Sequence, residues 1–345
     1  MKRSWTLWSV FVALTVLAMA CGGPKPTPTP TATAEVTEAQ LGDTHKVSAT
    51  ISVGQAPFGI AVTPDGKYVY VTNHEDNTVS IISTASQEVI KVLSVDVLPG
   101  GITVSPEGEF VYVGHFDADA FAVISTASQE VVDMFDVAQE LGGIMAISPD
   151  GTTIYVSKFP GAGRIIVIST VTKQAIREID VKPSIDIATS TDGERLYIVD
   201  PISEELVQLS TASHEVVVRI PLGQDAHDFT QFAVSPDGDL VYVPVDNLVT
   251  FVSTKSKEVL GTIEIGSESL GTFSLTGIAV SPDGKYVYVA NSEEDSVVII
   301  STETNSVTDS ITVGRGPGSI EVSPDGSAIY VANAQDGSVS VIIRE

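Results

Sequence analysis

Few side chains in this sequence have the type and spacing to do chemistry. His227 stands between Asp225 and Asp228 in GQDAHDFTQF (223–232), a pattern that would suit a general base or a metal ligand. His115, Lys158 and Asp200 fall at one register of an internal repeat, in line with Asn73, Val245, Asn291 and Asn333. Varied polar residues at a shared register could surround a central ligand, or each could cap its own turn, as Asn and Asp commonly do. Arg315 opens the last repeat, where its guanidinium would suit a carboxylate. No G-x-S-x-G, H-E-x-x-H, phosphate loop, zinc-ligand spacing or C-x-x-C-H is present. The acidic clusters Glu75-Asp76, Asp117/Asp119 and Glu293-Glu294-Asp295 lack the D-x-D-x-D-G spacing that wraps calcium. We therefore assign no catalytic residue and expect neither a metal nor a cofactor.

The elements that position these residues repeat seven times. S-P-D-G-x-x-(V/I)-Y-V recurs with variations, its turn glycines at Gly66, Gly108, Gly151, Gly193, Gly238, Gly284 and Gly326, spaced 42 to 46 residues apart. A period of that length with several short apolar runs predicts a β-propeller. In the first repeat FGIAVTP (58–64), YVYVTN (68–73), TVSIIST (78–84) and EVIKVLSV (88–95) read as four strands of one antiparallel blade. The innermost strands carry Ala61, Ala146, Ala188, Ala233 and Ala279 at one position, small enough for crowding near the axis; Thr103 and Glu321 are the exceptions. The last repeat stops after its third strand, while KVSATISV (46–53) matches a fourth strand without a blade. The expected fold is all-β: a seven-bladed β-propeller of four-stranded antiparallel blades, closed by that N-terminal strand.

YVYVTN (68–73), YVYVAN (286–291) and IYVAN (329–333), each behind P-D-G, resemble the YVTN-repeat β-propeller family over about residues 45–345. The fourth repeat departs from the pattern, with Thr191 for the turn proline and Val199-Asp200 for Thr-Asn. The resemblance implies surface-layer or secreted propellers and, more distantly, lactonase-type propellers. On the second implication, an enzyme of lactonase or cyclase type, His115, Lys158, Asp200, His227 and Arg315 would face a funnel that accepts a small carboxylated metabolite.

The first 20 residues read as an export signal: Lys2 and Arg3, then the apolar run Trp5–Ala18, which at 14 residues is short for a membrane span. Cys21, the sole cysteine, follows Leu17-Ala18-Met19-Ala20 and resembles a lipidated lipoprotein cysteine; ordinary cleavage near Ala20 is the alternative. Residues 21–44 then form a Pro/Thr-rich linker and 45–345 the propeller. This places the protein outside the cytoplasm, touching a membrane through the lipid alone. A formal charge of −26 disfavours nucleic acid and bare anionic lipid. Both tryptophans, Trp5 and Trp8, lie in the signal, which counts against WD-repeat and quinoprotein propellers.

Two blade-connecting stretches, 223–232 and 266–278, are longer than Gly54–Ile60 and carry His227, Asp228, Phe229 and Phe273. Lengthened loops on one rim are where a propeller places function, and aromatic residues there suit a protein or small-ligand contact. We expect a monomeric binding module.

Overall fold

In the computed structural model the described residues are 43–116, 120–137, 141–158 (141–143 by backbone only), 163–181, 186–200, 203–223, 231–245, 247–266 and 277–345. They form 28 strands, numbered β1 to β28 in chain order, in seven four-stranded antiparallel sheets. No helix among them is long and apolar enough to cross a membrane. Blade one consists of β2 (Pro57–Val62), β3 (Tyr68–Asn73), β4 (Thr78–Ser83) and β5 (Glu88–Ser94), from inside outward. The inner strand runs from the loop that joins the blades to the Pro-Asp-Gly turn. Blade connections and second-to-third turns therefore share one face, here the loop face, and the Pro-Asp-Gly turns share the other, the turn face.

The apolar cores lie between blades. Tyr70, Val79 and Ile81 of blade one pack with Ile102, Val111, Val113 and Ile124 of blade two. Across the closure, Ile60, Val62, Val69 and Val71 of blade one pack with Ile51, Tyr330, Val339 and Val341 of blade seven. Each middle strand is covered on both faces, which is why YVYV reads as continuously apolar rather than alternating.

The turn face is stitched by the Pro-Asp-Gly sequence itself. In six of the seven turns an Asp accepts from the residues around it, as when Thr63 Oγ1 donates to Asp65 Oδ1 at 2.7 Å or Ser235 Oγ to Asp237 Oδ1 at 2.6 Å; blade two carries Glu107 instead. The glycine follows with φ near +70°, where a Cβ is strained. It is also where the proline of the preceding blade rests: a Cβ on Gly108 would stand 3.3 Å from Pro64 Cδ, and one on Gly193 3.4 Å from Pro149 Cδ. In the fourth repeat Thr191 takes the proline's role, its Oγ1 at 3.3 Å from the corresponding point on Gly238. The departure in sequence thus keeps the contact.

The ring closes as expected. β1 (His45–Ser52) pairs antiparallel with β28 (Ser338–Arg344), from His45 opposite Arg344 to Ser52 opposite Ser338, and supplies the outer strand of blade seven. Arg344 fastens the seam: its Nε donates to Asp43 Oδ2 at 2.7 Å and its Nη2 to Asp283 Oδ2, in the turn of blade six, at 2.8 Å. Its guanidinium lies 4.7 Å from the centre of the Tyr286 ring, and His45 Nε2 meets the Tyr288 hydroxyl at 3.1 Å.

The inner strands enclose a channel. Ala61, Thr103, Ala146, Ala188, Ala233, Ala279 and Glu321 each stand opposite a tyrosine of the second strand: Tyr70, Tyr112, Tyr155, Tyr197, Tyr242, Tyr288 and Tyr330. The last two residues of every inner strand but the first are only half-buried, so solvent reaches them. The strands crowd near the loop face, where a Cβ on Gly277 would collide with the Gly318 carbonyl of the next blade.

Candidate functional site

The loop face brings the second-strand ends of all seven blades to one level. Asn73 caps its own turn: Oδ1 accepts from Gly54 N at 3.1 Å, and Nδ2 donates to Thr78 Oγ1 and Ser80 Oγ, both at 2.9 Å. Asn291 Oδ1 accepts from the backbone of Glu293 and Glu294, and Asn333 Nδ2 donates to Ser338 and Ser340.

The sequence-chosen polar residues of the same register behave alike. His115 is fully buried, and Nδ1 meets the Ala120 carbonyl at 3.1 Å, so Nδ1 carries the proton and Nε2 is the lone-pair nitrogen. Among the described residues Nε2 has no partner, and burial lowers the imidazole below its ordinary pKa, keeping it neutral. Asp200 is buried and accepts from Ser203 N at 3.0 Å and Ser203 Oγ at 2.7 Å, with Arg219 Nη1 3.7 Å away. Lys158 is half-buried at the end of its strand (Thr153–Lys158), opposite Leu141. Arg315 clamps a carboxylate of its own chain: Asp336 accepts its backbone N–H and its Nε, both at 2.7 Å. His115, Asp200 and Arg315 therefore engage separate turns. A shallow cleft of about 490 Å³ opens beside Asp336, lined by Gln55, Ala56, Glu75, Ala334 and Gln335. His227, Asp228, Phe229, Phe273 and Cys21 lie outside the described residues.

What sequence reasoning missed is an aromatic cluster on this face. Phe58 of the inner strand, His74 after Asn73, and Phe116 after His115 meet where blades one and two join. Ring centres are 5.4 Å apart for Phe58–Phe116 and for His74–Phe116, both edge-on, and 5.9 Å for Phe58–His74. His74 Nδ1 reaches the Pro99 carbonyl of blade two at 3.1 Å, which fixes the ring across the blade junction. All three are half-buried, so part of the cluster faces solvent. The signal in the sequence was an aromatic residue directly after the capping position in consecutive repeats. Such a face suits apolar contact better than proton transfer.

Asp186 is a different case. It sits one residue before the inner strand of blade four (Ile187–Thr189), and its carboxylate accepts from Ile187 N at 2.9 Å and from Phe232 N of blade five at 2.7 Å. Burial pushes its carboxyl up to about 7, against the pull of those two donors. It clips neighbouring blades together, as Thr72 does in blade one by donating to the Gly100 carbonyl at 2.7 Å. Among the described residues no group of three or more His, Cys, Asp or Glu could hold a metal ion.

A model of the lactonase, 7-bladed beta-propeller family matches residues 29–132 and 233–345. The chain belongs to that family. Within curated proteins, 122 residues are 29% identical to the seven-bladed beta-propeller protein Rv1057 of Mycobacterium tuberculosis. That match covers 34% of this chain and 29% of the relative, under a third of its length. A solved structure, Kuenenia stuttgartiensis hydrazine synthase, superposes with a TM-score of 0.74 over 84% of this chain and 95% of that one, at 24% identity. At that identity the likeness speaks for the propeller fold alone.

Proposed function

We propose that this chain is an exported, lipid-anchored propeller of the YVTN kind that acts as a binding module, with its loop face toward a protein or small ligand. The observation that carries the binding role is the contrast on that face. His115, Asp200 and Arg315 are tied into separate turns, while Phe58, His74 and Phe116 present aromatic surface between blades one and two. The anchor rests on Cys21 behind the apolar run, with 21–44 as its tether. Labelling with a fatty acid in the native cell should mark the wild type and not Cys21→Ser; equal label in both would remove the anchor. Shortening 223–232 and 266–278 to the Gly54–Ile60 length, or replacing Phe116 with Ala, should weaken cross-linking to the cell surface while melting stays nearly unchanged. Undiminished cross-linking would move the contact off this face.

The family match supports a second reading, a lactonase-type enzyme for a small carboxylated metabolite. Arg315→Ala should then abolish hydrolysis across a lactone panel. The binding module requires no hydrolysis by either protein.

A further inference from the structure

We propose that the central channel binds a linear alkylamine of the diamine or polyamine class, with its ammonium against the Glu321 carboxylate. Glu321 lies in β26 (Pro317–Val322), at the register where five other blades carry alanine and blade two carries Thr103. At this register the other blades carry Ala61, Thr103, Ala146, Ala188, Ala233 and Ala279, none of them titratable; Ala61 is buried and the rest are half-buried, like Glu321. Glu321 is half-buried, so solvent reaches it, yet desolvation still raises its carboxyl above the ordinary range. Asp186, the other strongly desolvated carboxylate, has two backbone donors. Glu321 has neither a hydrogen bond nor an ion pair among the described residues.

A ring of methyl groups with one unanswered carboxylate has a complementary shape in chemistry: a chain of methylenes ending in an ammonium. The methylenes bury against alanine, and the charge supplies what desolvated Glu321 lacks. A bare divalent ion fits poorly, because it needs six to eight oxygens and one carboxylate with one hydroxyl falls short.

The turn face adds a guiding field. Asp65, Glu107, Asp150, Asp192, Asp237, Asp283 and Asp325 place one carboxylate per blade around that end of the channel, in a chain of net charge −26. Clefts lined by one sign of charge concentrate ions of the other. Burial holds the Glu321 carboxyl up at about 7, so the carboxylate is available to an amine above that pH and is protonated below it. This site is independent of a contact on the loop face.

The test is calorimetric titration of the full protein with 1,5-diaminopentane, and with 1,5-pentanediol as a control of equal length without charge. At about pH 8 the diamine should bind saturably and the diol should not. Glu321→Gln and Glu321→Ala should each weaken the diamine by roughly tenfold or more, the magnitude expected for loss of a desolvated ion pair. Binding should fall at about pH 5, where the wild-type carboxyl is protonated. Glu321→Ala restores the residue its sister blades carry, so the variant keeps the fold. Absence of diamine binding, equal binding of the diol, or undiminished binding by both variants would overturn the proposal. In the last case, loss of binding in high salt would assign the amine to the rim carboxylates instead.

Discussion

Replacing Arg344 with alanine should cost the ring about 2–3 kcal/mol, between the values for exposed and buried ion pairs. The Arg344 side chain is only 12% exposed, but its partners Asp43 and Asp283 are 38% and 39% exposed, so neither limit applies alone. Loss of the guanidinium also uncovers the Tyr286 ring and leaves two carboxylates facing each other across the seam. The effect has a sign in pH. Hydrogen bonding from Arg344 is the chief cause holding the Asp283 carboxyl well below the usual carboxylate range. A depressed folded pKa contributes stability above the unfolded value and loses it as pH falls below about 4. The wild type should therefore lose part of its advantage over Arg344→Ala on acidification. Hydrogen exchange would localise the damage: protection should drop first in β1 and β28. If protection there is unchanged and the two melting curves coincide, the seam is held by its backbone ladder alone.

The second large effect runs the other way. Glu321→Ala should stabilise the protein at about pH 8 by up to roughly 3 kcal/mol, the equivalent of a carboxyl raised to about 7 from its ordinary 4.5. A raised carboxyl means that the folded state holds a proton that the unfolded state releases, so wild-type stability falls as pH climbs from about 4.5 to 7. Alanine removes that slope. Its advantage should vanish near pH 4.5 and be complete above about 7, a difference of several degrees in melting temperature for a chain of this size. Asp186→Ala offers the contrast. It would strand the Ile187 and Phe232 N–H groups and should destabilise at about pH 4, by an amount that shrinks as pH climbs toward 7. Were Glu321→Ala neutral at about pH 8, solvent in the channel would be screening the carboxylate far better than its surroundings imply.

The blade count and the closing strand were legible because they are written in local chemistry: a turn glycine every 42 to 46 residues, and one orphan strand ahead of the first repeat to match the one the last repeat lacks. Glu321 was legible as an irregularity in a register of alanines. Its lack of a partner was not, because that depends on six other strands. The caps at Asn73 and Asp200 follow from residue type, and the structure supplies their partners. Contacts between blades escaped the reading altogether. Phe58, His74 and Phe116 are separated by up to 58 positions in sequence, and only the ring geometry makes them neighbours. Arg344 and Asp283 meet for the same reason, across blades six and seven. Seven breaks in register, such as those between Ile81 and Ile82 or Val47 and Ala49, occur where an outer strand pairs with its neighbour. No residue type marks them, yet they twist every free edge away from regular pairing while residues such as Ile90 and Val132 stay exposed there.

The direction of β1 has a mechanical meaning. It begins at His45 on the turn face, ends at Ser52 on the loop face, and is bonded along its length to β28. A pull applied at Asp43, outward from the turn face, acts along the strand axis. The inter-strand hydrogen bonds then resist together, in shear, instead of parting one after another like a zipper. A force on Asp43 along this axis therefore meets the ring in its strongest orientation. The same force applied sideways would open the seam at Arg344 first.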